Sequence, residues 1–219
     1  MFVRRDLSDR VPTPEGEMHF VKQGSGYPLV MLHPLGTSTW AWHTVIDALS
    51  QHFTCYAFDM LGHGESDKPS RHFNIPDYAN ALDHACQILN IHRGHYVGNS
   101  VGAILATEMA ASFPERLDKL VLVGCPVWDA RTAPQRLQDA SGGYDDQGLA
   151  KPRTLEELKA STTFANPKPE WVDATNQTRA QAGVWVGKLM RSLAHYDVMS
   201  RLPRIQASAT MVMYGEVDR

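Results

Sequence analysis

The sequence predicts a doubly wound α/β fold with a mostly parallel sheet and a helical insertion before its last strand. Short, continuous apolar runs rich in β-branched and aromatic residues alternate with segments of helical periodicity, and the alternation breaks once. The runs are residues 28–32 (PLVML), 53–58 (FTCYAF), 120–123 (LVLV) and 210–214 (TMVMY). Lacking a polar alternation, they read as strands buried on both faces under helices. Residues 95–97 (HYV) take the place of a further strand in that series.

Between the runs, Tyr78, Leu82, Ala85 and Leu89 recur at offsets of 4, 3 and 4 and share one helix face. Pro76 suits the first turn of that helix, where its missing N–H is not needed. Val101, Ile104, Leu105 and Met109 form a second stripe that ends before Pro114. Strands that alternate with helices in this way specify an α/β layer architecture.

The rhythm stops at residue 127. Polar, Pro- and Gly-containing stretches (ASGGYDDQGLAKPR, FANPKPEW) follow, with short helix-like pieces such as TLEELKAS and VGKLMRSLAHY. A structureless connection of ~70 residues is rare inside a compact domain, so the segment reads as a small helical insertion. The predicted organisation is a core over 1–126, an insertion over 127–197 and a return to the core over 198–219.

Composition bounds the function. The chain has 219 residues, a net charge of −3 and 43% hydrophobic residues, with no basic run, so nucleic acid is not expected as a partner. No stretch reaches the ~20 apolar residues of a membrane span, and MFVRRDLSDRVPTPEGE has no apolar core for a secretory signal. Cys55, Cys86 and Cys125 are odd in number and far apart, which speaks for a reducing compartment and a cytoplasmic setting. Oligomeric state is not legible. The ten histidines come without HExxH, CxxC or an acidic cluster, so no metal is expected. Gly24-Ser25-Gly26 and Gly62-His63-Gly64 lack the third glycine of a dinucleotide fingerprint and read as turns, so no cofactor is expected. Trp40 and Trp42 open a helix-like stretch as core residues, while Trp128, Trp171 and Trp185 line a pocket or hold the insertion to the sheet.

Gly98-Asn99-Ser100-Val101-Gly102 fits a G-x-S-x-G nucleophile elbow, after a short strand and at the start of a helix. A serine in that turn occupies a strained position where strand and helix approach too closely for side chains two residues to either side. The free N–H groups of the helix N-terminus favour an oxyanion there.

With His33-Pro34-Leu35-Gly36, FDMLGHGESDKP at 58–69, GNSVGA at 98–103 and MYGEVD at 213–218, the chain resembles the α/β-hydrolase fold enzymes over nearly its whole length. The resemblance implies Ser100 as nucleophile, the backbone N–H groups of Leu35 and Val101 as oxyanion hole, and Asp218 as triad acid. It makes the insertion a cap domain and the turn around His63 a structural landmark rather than a catalytic one. Pro34 stands where the family usually has glycine and has no N–H to give, but the implied donor is the next residue.

In the family the catalytic histidine follows the acid, and the sequence ends at Arg219, one residue past Asp218. The resemblance therefore implies a copy shortened before its last strand, histidine and helix. An isolated chain of that kind is expected to leave apolar strand edge exposed and to fold marginally. The expected activity is hydrolysis of a small carboxylic ester or related acyl compound. Asn99 before the serine also resembles the meta-cleavage-product hydrolases, which cleave carbon–carbon bonds, although their oxyanion loop is usually richer in glycine than HPLGTST. Haloalkane dehalogenases and epoxide hydrolases place an aspartate where this chain has Ser100. A catalytically silent member that binds a small ligand is the expectation from outside the enzymes.

Overall fold

A computed structural model describes residues 7–127, 133–160 and 166–215. Seven strands form one sheet: β1 (Ser8–Thr13), β2 (Gly16–Gln23), β3 (Tyr27–Leu32), β4 (Phe53–Phe58), β5 (Gly94–Asn99), β6 (Leu117–Val123) and β7 (Ala209–Met213). Their order is β1-β2-β4-β3-β5-β6-β7. The pairs β1·β2 and β2·β4 are antiparallel, and all pairs from β4 to β7 are parallel.

The predicted strands are all present. Short loops and return helices leave β3 and β5 adjacent, with Leu32 opposite Gly98. The loop after β3 and the turn after β5 thus emerge side by side at the carboxyl ends of neighbouring strands, where open α/β sheets bind ligands.

Helices α1 (Ile46–Leu49), α2 (Ile75–Ile88) and α3 (Val101–Ser112) cover the sheet unequally. The face under α2 and α3 holds the larger core, including Val30, Phe58, Leu82, Tyr96, Ile104 and Met109. Asn74 and Asp77 close the start of α2 as a capping box, each side chain accepting the other's backbone N–H. The opposite face has a smaller cluster around Met31, Trp42, Ile46 and Ala57, so Trp40 and Trp42 are buried as expected. The helix-like stretch they open is a 3₁₀ turn, Thr39–Trp42, ahead of the single-turn α1.

Between β6 and β7 the described residues form α4 (Ala133–Ser141), α5 (Leu155–Ala160), α6 (Pro169–Ala182) and α7 (Trp185–Ala194). Trp185 packs on the turn after β4, against Gly62, where an added Cβ would lie 2.6 Å from the indole. Phe73 meets the same indole edge-on at 6.3 Å. On the return, buried Glu108 of α3 takes an ion pair from Arg201 at 2.9 Å and the Tyr196 hydroxyl. The lone acid in an apolar helix is thereby satisfied and ties the return segment to the core.

One expectation is corrected. Residues 210–214 read as a strand buried on both faces, yet every residue of β7 is exposed, and Met211, Val212 and Tyr214 are more than half accessible. Its apolar run is paired only with β6 among the described residues, with no helix laid over it there. A run of apolar residues reports what a strand is built to bury, not what lies over it.

Candidate active site

Ser100 sits at the junction of β5 and α3 with φ 54° and ψ −114°, a left-handed conformation that a serine adopts only where its surroundings enforce it. The enforcement is visible on both sides. Its N–H donates to the Val123 carbonyl at 2.8 Å, and its carbonyl receives the N–H of Ala103 at 2.9 Å. A Cβ on Gly98 would lie 2.5 Å from the Ala103 nitrogen. One on Gly102 would overlap the Leu32 carbonyl and lie 2.8 Å from the His33 oxygen. The two glycines of the elbow are therefore set by close approach of backbone to backbone. Ser100 is half-buried, and among the described residues its hydroxyl has no hydrogen-bond partner.

The loop after β3 has a matching construction. The Pro34 carbonyl accepts from the Thr37 hydroxyl at 2.8 Å and from the His33 ring Nδ1 at 2.8 Å. The His33 Nε2 accepts the Met60 N–H at 3.0 Å, which leaves Nδ1 as the protonated nitrogen. Burial holds His33 below its ordinary pKa, against the opposing pull of the Asp59 charge and the Pro34 carbonyl, so the ring is neutral. Among the described residues the peptide bonds are all trans, and in a trans peptide the N–H points opposite to the preceding C=O. Anchoring the Pro34 carbonyl therefore aims the Leu35 N–H the other way, and that N–H has no acceptor among the described residues. Pro34 costs the loop no donor. The Val101 N–H, first in α3, is likewise without an acceptor there.

Asp59 fixes the outer end of this loop. It accepts the Thr39 N–H at 2.6 Å, the Glu65 N–H at 2.9 Å and the His19 ring at 2.7 Å, all in a buried pocket. Burial disfavours its charge, but the His19 hydrogen bond and the Glu65 N–H outweigh that and hold its pKa below the ordinary range. Gly64, at φ 52°, leaves room for the carboxylate that any Cβ would strike.

His63 lies beside His33, ring centroids 5.5 Å apart, fully buried, with neither nitrogen bonded among the described residues. Burial pushes its pKa down to about 3. Between pH 6.5 and 3 the unfolded chain therefore binds a proton that the folded chain does not, so stability rises with pH through that window. His63→Leu is expected to flatten the dependence of unfolding free energy on pH between 6 and 4. The slope should drop by up to about 1.4 kcal/mol per pH unit, read from urea unfolding at stepped pH. An unchanged slope contradicts the burial of a neutral His63.

Ser100, Leu35 and Val101 thus come together on neighbouring strand ends. Asp218 and Trp128 lie outside the described residues. The buried thiols are free, and burial raises Cys55 and Cys125 to about 11 and Cys86 to about 12, so none is a nucleophile at neutral pH. A groove of about 470 Å³ between α2 and α7, lined by His72, Ile75, Ser192 and His195, includes none of the three site residues. Sequence reasoning missed Arg179 of α6, whose guanidinium nitrogen stands 3.4 Å from the place of a Cβ on Gly36. It also missed Thr178, which donates to the Gly36 carbonyl at 3.1 Å.

The profile of the alpha/beta hydrolase fold family matches residues 27–216. The chain belongs to that family. An uncharacterized protein of Mycobacterium tuberculosis is 39% identical over 100 residues, 46% of this chain and 29% of that relative's length. A 2-hydroxy-6-oxo-2,4-heptadienoate hydrolase of Pseudomonas putida is 30% identical over 188 residues, 73% of this chain and 67% of the relative. A thermophilic esterase from Thermogutta terrifontis superposes with a TM-score of 0.78 at 22% identity, covering 95% of this chain and 80% of that one. Among the described residues no helix is long and apolar enough to cross a membrane.

Proposed function

We propose that this alpha/beta hydrolase is a serine hydrolase of small carboxylic esters or related acyl compounds, with Ser100 as nucleophile. The observation that carries the reading is the strained Ser100 with an unbonded hydroxyl beside two uncommitted N–H groups, those of Leu35 and Val101. Strain held at such a cost, about 1–3 kcal/mol, persists where the conformation is used.

In this reading the Ser100 oxygen attacks the acyl carbon and passes its proton to a histidine. The two N–H groups take the charge that develops on the carbonyl oxygen. The alcohol leaves with that proton, and water, deprotonated by the same histidine, releases the acid and restores the serine. Hydrolysis needs no cofactor. Asp218 is assigned to orient the histidine. Two of the described histidines near the site are poor candidates for the base: His33 has both nitrogens engaged, and burial leaves His63 too weakly basic, with a pKa of about 3. The proposal keeps the family order of serine, acid, histidine for the triad. The segment 127–197 acts as the cap over the pocket, and the three free thiols support a cytoplasmic setting.

Carbon–carbon bond hydrolysis is the second reading, favoured by Asn99 before the serine and by the name of the Pseudomonas relative. A panel of short-chain 4-nitrophenyl esters against a vinylogous diketone decides between them. Ester turnover at least tenfold above diketone turnover is expected; diketone turnover alone contradicts the ester reading.

A further inference from the structure

Arg179 has no visible role in the fold. Its Nε is buried without a hydrogen-bond partner, and no carboxylate lies within ion-pair distance of its guanidinium among the described residues. Folded proteins rarely leave a half-buried guanidinium in that condition, because its donors lose water and gain nothing. Further positive charge is gathered around it. Arg179 lines a cavity of about 370 Å³ together with Lys151, Arg153 and Glu157. Asn176, one turn earlier in α6, grips the Arg153 backbone through both polar groups of its side chain, at 2.7 and 2.8 Å. Arg153 is thus fixed beside Arg179 although the two repel. Burial, then the Arg153 charge, lower the Arg179 pKa. Among the described residues the carboxylate that lines this cavity, Glu157, is engaged at the start of α5, where it accepts the Thr154 N–H at 2.7 Å.

The cluster also touches the candidate active site. The Arg179 Nη1 and Cγ stand 3.4 Å from where a Gly36 Cβ would be, and Gly36 follows Leu35, the proposed oxyanion donor. Gly36 has φ 71°, so the loop exposes bare backbone to the guanidinium. Two arginines, with the fork of one unfilled, match a planar carboxylate better than a compact cation or a neutral group.

We propose that Arg179, supported by Arg153, binds a second carboxylate on the substrate, remote from the bond that is cleaved. The substrate is then an ester or acyl compound of a short dicarboxylic acid. This rests on the reading of Ser100 as nucleophile, and the test separates the two. The hemiester 4-nitrophenyl hydrogen glutarate is expected to exceed 4-nitrophenyl pentanoate in kcat/KM by about 10–100-fold, carried in KM. Arg179→Gln should bring that ratio close to one and Arg179→Lys to an intermediate value. Arg153→Gln should reduce it in part, which guards against a misfolded Arg179 variant. In parallel, glutarate is titrated calorimetrically into Ser100→Ala protein with and without Arg179→Gln, and a loss of at least tenfold in affinity is expected. Arg179-dependent glutarate binding without turnover of any ester keeps the carboxylate site and sinks the hydrolase reading. Equal turnover of both esters, with glutarate binding unaffected by Arg179→Gln, overturns the site and leaves the hydrolase reading standing.

Discussion

Gly102→Ala is expected to destabilise the folded chain by about 3–5 kcal/mol, a large share of the stability of an ordinary domain. The added Cβ would overlap the Leu32 carbonyl and come within 2.6 Å of its carbon and 2.8 Å of the His33 oxygen. Those atoms are main chain in the middle of the sheet and at the start of the loop after β3, so no side chain can rotate away. Relief requires α3 to lift from β3, which would also unseat Ser100 and separate it from Leu35. Gly142→Ala is the matched control: a Cβ there meets nothing within 4 Å, and a change of no more than about 0.5 kcal/mol is expected. Urea unfolding of the two variants reads the difference. Equal stability would mean that α3 and β3 do not approach as described.

Ser100→Ala is expected to cost at least about 10⁴-fold in ester turnover with little change in stability. Alanine keeps the strained φ of 54° because it also carries a Cβ, so the elbow is neither relaxed nor further loaded. Ser100→Gly removes the strain as well as the nucleophile, and should be more stable than the parent by about 1 kcal/mol while equally inactive. Initial rates, together with unfolding curves for the three proteins, test both halves. A stabilised, inactive glycine variant would show that the chain spends stability to hold this one hydroxyl.

The parts of the fold that were legible in the sequence are those whose side chains repeat one pattern. The run FTCYAF is β4 to the residue, and the stripe through Tyr78, Leu82 and Ala85 lies on the buried face of α2. The elbow was legible because sterics demand glycine at Gly98 and Gly102, and such a demand is written in residue identity. The hairpin of β1 and β2 was missed because Pro12 and a half-exposed face blur its alternation, and its two-residue turn at Pro14-Glu15 has none of the Asn-Gly or Asp-Gly chemistry that marks a hairpin. Helix α6 was missed for a different reason. Its buried residues are Thr175, Thr178 and Ala182, small or polar, so no apolar stripe marks the helix. Arg179 rides on that helix, and an arginine in a sequence gives no sign of whether a distant loop will take away its water. The orientation of the Leu35 N–H was equally hidden, since it depends on three groups gathering at the Pro34 carbonyl. The resemblance to the family named Leu35, Ser100 and Val101, and the packing gives a physical reason for each position.

The central claim is that Ser100 is an activated nucleophile facing an oxyanion hole, and the most direct measurement is covalent trapping. The protein is treated with a fluorophosphonate at neutral pH, digested, and the modified peptide located by mass spectrometry. A single adduct on Ser100, formed at least a hundredfold faster than on any other serine and absent from Ser100→Ala, is the predicted result. Labelling of Ser100 no faster than of the exposed serines would contradict the account and leave a fold member that binds ligands without hydrolysing them.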